Sequence, residues 1–134
     1  NNDYDLVLFE TESHTGSPIY HTDVLMYVGT DIIGICLDVI KPEHRDYVEK
    51  KVNAHHKVIE LTPEQIQNFC GNAIEAKNNN NELFLIISST AFNALNQDQK
   101  EQLLKSYKDI IHSDIPTIEK YGGGSARCML TELF

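Results

Sequence analysis

Apolar and polar positions along the chain follow two spacings, one suited to strands and one to helices. Leu6-Val7-Leu8-Phe9, within residues 5–10, is a short apolar run that reads as a buried strand. Residues 11–18 are polar and form a bend, and the β-branched and aromatic residues of 19–28 predict a second strand. Gly29-Thr30-Asp31 is a hairpin-like turn into a third apolar stretch, 32–40. Over 42–53, Tyr47, Val48 and Val52 fall on one side with charge elsewhere, the pattern of a surface helix, and 57–61 returns to strand. Thr62, Pro63 and Gln65 then open a helix: Thr62 can cap, Pro63 suits the first helical position, and Gln65 completes a capping box. That helix should stop near Cys70-Gly71.

In the second half, 72–77 and 82–88 read as strands joined at Asn78-Asn79-Asn80-Asn81, a solvated hairpin tip. Leu103, Leu104, Tyr107, Ile110 and Ile111 have helical spacing and predict a helix over 97–110. Residues 115–119 read as a strand leading into Gly122-Gly123-Gly124, and 128–134 as the last strand. Set end to end, the elements run strand-strand-helix-strand from 19 to 61 and again from 72 to 119. A structural repeat of about 50 residues implies a module that buries its apolar face against further copies, so this α/β chain is expected to be part of something larger.

Composition narrows the partners. With 134 residues and 41% hydrophobic content the chain is enough for one domain core, while a net charge of -9 argues against a nucleic-acid or anionic-membrane surface. No run reaches the roughly 20 apolar residues of a membrane span, and Asn1-Asn2-Asp3-Tyr4-Asp5 has no basic leader pattern, so a cytoplasmic location is expected. Cys36, Cys70 and Cys128 form no C-x-x-C pair and read as reduced thiols, with no disulfide framework or zinc site.

The chemistry concentrates near the end of the chain. The glycines of Tyr121-Gly122-Gly123-Gly124-Ser125-Ala126-Arg127-Cys128 let the backbone turn sharply and present Cys128 as a nucleophile, and the adjacent Arg127 guanidinium favours its thiolate. A thiolate nucleophile needs a proton carrier, for which His21 is the best candidate. If 19–28 is a strand, Asp23 shares a face with His21, and its carboxylate suits a cationic planar group better than a peptide. The Q-A-C-x-G pattern of caspases is absent. Asn72 reads as a turn residue that bonds backbone rather than substrate, Cys36 and Cys70 as core thiols, and His55-His56 lacks metal-ligand spacing.

Ile19-Tyr20-His21-Thr22-Asp23-Val24, Gly71-Asn72-Ala73-Ile74-Glu75 and Gly122-Gly123-Gly124-Ser125-Ala126-Arg127-Cys128-Met129-Leu130 together resemble the motifs of the guanidino-group-modifying superfamily. Its members include arginine deiminases, amidinotransferases and citrulline-utilising hydrolases, the last being the most similar. The resemblance implies a partial α/β-propeller (pentein) built from ββαβ modules, with residues 1–134 as its C-terminal part. It implies Cys128 as nucleophile, His21 as acid and base, Asp23 as the grip on the guanidinium and Arg127 as the site for the substrate carboxylate. No cofactor or metal is implied. The superfamily's further acid lies upstream of the His motif, so the missing N-terminal half, or self-association, is expected to complete the site. Glu60 and Glu75 are the acids that could replace it.

Three activities remain open on the sequence. One is a Cys-dependent hydrolase of the guanidino or ureido group of a small arginine- or citrulline-like amino acid. The second is an amidinotransferase with an amine acceptor. The third is a non-catalytic fragment whose sheet edges bind a partner chain.

Overall fold

The computed structural model describes residues 6–131, which form two small three-stranded sheets with helices at their crossovers. In the first sheet β1 (Met26–Val28) pairs antiparallel with β2 (Ile32–Ile35), Met26 opposite Ile35. The Gly29 N–H donates to the Ile32 carbonyl at 2.8 Å and closes the hairpin. β3 (Lys57–Glu60) lies parallel on the other side of β2. A parallel partner needs a crossover, supplied by the helix Pro42–Asn53, here called α2, which matches its predicted bounds. β2 is buried at all four positions, as a central strand covered on both faces should be.

The second sheet repeats the plan. β4 (Ile74–Lys77) pairs antiparallel with β5 (Leu83–Ser88), and β5 runs parallel to β6 (Asp109–Ser113). Two short helices make this crossover, α4 (Ser89–Ala94) and α5 (Gln97–Leu103). The asparagine run forms the predicted tip, with the Asn81 N–H on the Asn78 carbonyl at 3.0 Å. The ββαβ order is therefore present twice, from Met26 to Glu60 and from Ile74 to Ser113.

Leu25, Ile32, Ile35 and Leu61 from the first half and Leu85 and Leu103 from the second are all buried in one hydrophobic cluster. A buried polar clasp fixes how the halves meet. Helix α3 (Pro63–Gln67) opens with the predicted capping box of Thr62 and Gln65, and α5 opens with a second one of Asn96 and Gln99. The two box glutamines face each other. Gln65 Nε2 donates to Gln99 Oε1 at 2.7 Å, Gln99 Nε2 donates back to Gln65 Oε1 at 3.0 Å, and their remaining donors reach the carbonyls of Ala94 and Glu60. Buried amides are tolerated where every donor and acceptor finds a partner, and this ring meets that condition.

Six predicted elements differ. Residues 6–10 alternate between exposed Leu6 and Leu8 and partly buried Val7 and Phe9, yet form no strand, because no neighbouring strand pairs with them among the described residues; Asp5 lies outside these. The stretch 19–28 splits into a single helical turn, α1 (Thr22–Leu25), and β1, since pairing with β2 begins only at Met26. The stretch 32–40 leaves the strand at Ile35 for a 3₁₀ turn over Leu37–Val39. The helix of 97–110 ends at Leu103, and Ile110 belongs to β6, where strand alternation buries it and exposes Ile111. Residues 115–119 are not a strand but enter helix α6 (Pro116–Gly122), with Pro116 at its first position, and Cys128 lies in a 3₁₀ turn, Ala126–Met129, with 132–134 outside the described residues. No helix among the described residues is long and apolar enough to cross a membrane.

Candidate active site

Three backbone segments converge on Cys128. The first is α1. His21 is its N-cap residue, in extended conformation, and Asp23 lies in its first turn. The strand face expected to carry both side chains is therefore replaced by a helical turn, in which residues two apart do not share a face. Asp23 reaches the thiol: Cys128 Sγ lies 3.5 Å from its Oδ2. His21 is exposed, its side chain makes no cap hydrogen bond, and none of the hydrogen bonds among the described residues joins it to Cys128 or Asp23.

The second segment leads into β4. Gly71 packs directly on the main chain at the end of α1: a Cβ there would stand 2.4 Å from the Val24 carbonyl oxygen and 2.9 Å from Met26 N, so only glycine allows the approach. This places the next residue, Asn72, at the junction. Asn72 is 4% exposed. Its Nδ2 donates to the Asp23 carbonyl at 3.2 Å, to Asp23 Oδ2 at 3.3 Å and to Cys128 Sγ at 3.2 Å. Its Oδ1 accepts the N–H groups of Ser125 at 3.0 Å and Cys128 at 3.4 Å, and its own carbonyl accepts the Arg127 N–H at 3.3 Å. Asn72 thus bonds backbone, as expected of it, and also meets the thiol and the carboxylate, which the sequence did not reveal. The Gly71-Asn72 dipeptide just ahead of β4 was the available signal.

The third segment is the glycine loop. α6 ends at Gly123, whose φ of 69° is the left-handed cap that glycine favours. Gly124 lies under the nucleophile, where a Cβ would be 2.8 Å from Cys128 Sγ. Ser125 is fully buried and held from two sides, by Asn72 Oδ1 and by Glu119 Oε1, which accepts its hydroxyl at 2.7 Å. Glu119 Oε2 also accepts the Thr90 hydroxyl at 2.7 Å. Burial pushes the Glu119 carboxyl up, but hydrogen bonds from Ser88, Ser125 and Thr90 outweigh it and hold the group below its usual range.

The three thiols are not equivalent. Cys36 and Cys70 are buried, and burial raises both, Cys70 up to about 12, whereas Cys128 is exposed. Arg127 is exposed and lines an open cleft of about 890 Å³ together with Asp23, Thr22, Glu75 and His55. Of the two acids singled out in the sequence, Glu75 lines this cleft, but its oxygens already accept the Thr30 N–H at 2.9 Å and the Thr30 hydroxyl at 2.5 Å. Glu60 is exposed at the end of β3. Among the described residues no three His, Cys, Asp or Glu side chains converge to hold a metal ion.

Known proteins resemble the chain at two levels. Residues 1–134 match the family described as N,N dimethylarginine dimethylhydrolase, eukaryotic. A search of curated protein sequences returned no match. Among solved structures, the apo crystal structure of ArgZ, an arginine dihydrolase from the ornithine-ammonia cycle in cyanobacteria, has a similar fold, with a TM-score of 0.62 at 19% identity. The match covers 85% of this chain and 17% of that one, so the chain spans a small part of ArgZ's length.

Proposed function

Because the chain belongs to the N,N dimethylarginine dimethylhydrolase family, within the guanidino-group-modifying superfamily, we propose that it carries the nucleophile of a hydrolase for the guanidino or ureido group of an arginine- or citrulline-like amino acid. The observation that carries the proposal is the exposed Cys128 thiol set 3.5 Å from the Asp23 carboxylate, a nucleophile beside a group that can bind a planar cation. With Asp23 holding the N–H groups of the substrate, its central carbon lies within reach of sulfur.

In the proposed reaction the Cys128 thiolate attacks that carbon. A C–S bond forms and the π pair moves onto nitrogen in a guanidino group, or onto oxygen in a ureido group. The tetrahedral adduct expels an amine or ammonia, protonated by His21, and leaves a thioester-type adduct on Cys128. Water then gives its proton to His21 and attacks the same carbon, and the C–S bond breaks to return the thiolate. One water is consumed and one amine released. Arg127, facing the cleft with Asp23, is assigned to the substrate carboxylate. His21 is placed in this role by its motif; its exposed position at the α1 cap leaves it free to turn toward the substrate. The two ββαβ modules are taken as part of a propeller that further chain completes.

The test uses the longest natural form of the protein. Arginine, citrulline and dimethylarginine are supplied in buffer, and released ammonia or dimethylamine is measured. Cys128→Ser is expected to lower turnover at least about 1,000-fold, and intact mass should show a substrate-derived adduct on the parent. Full activity in Cys128→Ser would sink the proposal. Release that requires added glycine, with the amidino group recovered on that amine, would replace hydrolysis by transfer.

A further inference from the structure

Cys128 sits between two groups that pull its proton in opposite senses. The neutral thiol can donate to Asp23 Oδ2 at 3.5 Å. Once ionised, sulfur becomes an acceptor and stands beside a carboxylate of like charge. Asn72 is the neutral donor in contact with it, its Nδ2 at 3.2 Å from sulfur. That amide has two protons for three acceptors, namely Cys128 Sγ, Asp23 Oδ2 and the Asp23 carbonyl. With the thiol protonated, the amide protons are best spent on the Asp23 oxygens. With the thiolate formed, one of them gains a charged partner in sulfur, which roughly doubles the strength of the bond.

We propose that Asn72 sets both the position and the ionisation of the Cys128 thiol, a proposal that rests on the nucleophile assignment above. Its Oδ1 fixes the turn through the Ser125 and Cys128 N–H groups, while its Nδ2 supplies the hydrogen bond that stabilises the thiolate against Asp23. Asn72 is a positioning residue in this sense: it acts through Cys128 and not on substrate. Its own burial keeps water from substituting for it. The other charged or titratable groups around the thiol are few. From α1 there is Asp23, with His21 exposed at its cap; from the same turn there is Arg127; from α6 there is Glu119, already bound to Ser125 and Thr90. β5, on which the turn packs, offers Ile86 and Ile87 alongside Met129 and Leu130, and β6 adds His112, whose Nδ1 is bonded to the Ser89 hydroxyl.

Iodoacetamide reads this directly, because Cys128 is exposed while Cys36 and Cys70 are buried. The thiolate attacks the reagent's CH₂, a C–S bond forms, iodide leaves, and mass analysis counts the label at Cys128. The rate is followed across roughly pH 6–10 for the parent and for Asn72→Asp, which keeps an oxygen toward Ser125 and Cys128 but replaces the amide donor with a second carboxylate. The midpoint of the variant is expected to rise by about one unit or more, with labelling near neutrality about tenfold slower or worse, and an unaltered circular dichroism spectrum. A folded Asn72→Asp with the parent's midpoint overturns the proposal.

A second measurement needs no substitution. The side-chain amide NMR signals of Asn72 in the parent should shift with the same midpoint as labelling, and cease to shift once Cys128 is alkylated. Signals that ignore Cys128 ionisation overturn the proposal even if Asn72→Asp does not fold. Neither readout involves a substrate. A chain that turns over no guanidino compound would therefore remove the hydrolase assignment and leave the Asn72 result standing, and an unmoved midpoint would do the reverse.

Discussion

In the first module one helix of 12 residues, α2, carries the chain from β2 to β3, whereas in the second two helices of 6 and 7 residues, α4 and α5, do the same work between β5 and β6. The single helix lies along its sheet and buries Val48. The broken one turns α5 so that Gln99, at its third position, meets Gln65 of α3 and the Glu60 carbonyl of the first sheet. The second module thus holds on to the first through polar contacts as well as apolar ones. A parallel asymmetry governs the chemistry. Each module's first strand is preceded by a residue of the site, Asp23 ahead of β1 and Asn72 ahead of β4, but only the second module is followed by the loop that bears Cys128. Equal topology leaves the modules free to differ at their lead-in and exit segments, and that is where the candidate site lies.

This comparison yields three tests in order of expected effect. The largest concerns the shared core. Leu85→Ala in β5 removes a fully buried side chain and should cost about 2–5 kcal/mol, with both sheets unfolding in one urea transition. Separate transitions for the two halves would mean that each module has its own core. The next concerns the clasp. Gln99→Ala removes the side chain that accepts the Asn96 N–H in the capping box and leaves the Gln65 amide and the Glu60 carbonyl short of partners inside the protein, at about 2–3 kcal/mol. Gln65→Ala should cost a similar amount and the double variant much less than the sum, measured by the same denaturation. Full additivity would show that the two amides do not act as a pair.

The smallest effect is a pH limb. Glu119 is lowered from its ordinary value of 4.5, so its contribution is present above that value and is lost as pH falls through the lower folded one. Thermal melting of the parent should therefore weaken below about pH 4.5 more steeply than that of Glu119→Gln. Parallel curves would exclude Glu119 as the acid-sensitive hold on Ser125.

The sequence carried most of the module plan because local rules agreed with the tertiary ones. The Thr62 capping box, Pro63, the asparagine tip and the one-sided apolar stripe of α2 need only neighbours in sequence to be recognised. It failed where a position served two spacings. Leu103, Tyr107 and Ile110 are all buried and lie at helical intervals, yet a strand begins at Asp109, because pairing with β5 outweighs continuing α5. Residues 115–119 read as a strand although Pro116 was placed to open a helix, and α6 begins at it. At the site, the motif residues Asp23 and Cys128 meet, as do Asn72 and the thiol; no hydrogen bond among the described residues joins His21 to them, since the helical turn that broke the predicted strand takes it off the face of Asp23. That turn depends on where β1 begins pairing, a long-range fact that spacing along the chain does not contain.

Gly71 has a consequence for how such a site can change. The main chain at residue 71 rests on the main chain of residues 24–26 with no side chain between them. The distance between the Asp23 turn and Asn72 is therefore set by atoms common to every amino acid. A substitution at 23 can alter which group the pocket offers without shifting the frame, whereas a change at 72 would also release the Cys128 turn that its Oδ1 holds, and any side chain at 71 would spread the frame itself. Location and chemistry are inherited separately here, so a new specificity could be written into this scaffold at position 23 while 71 and 72 stay untouched.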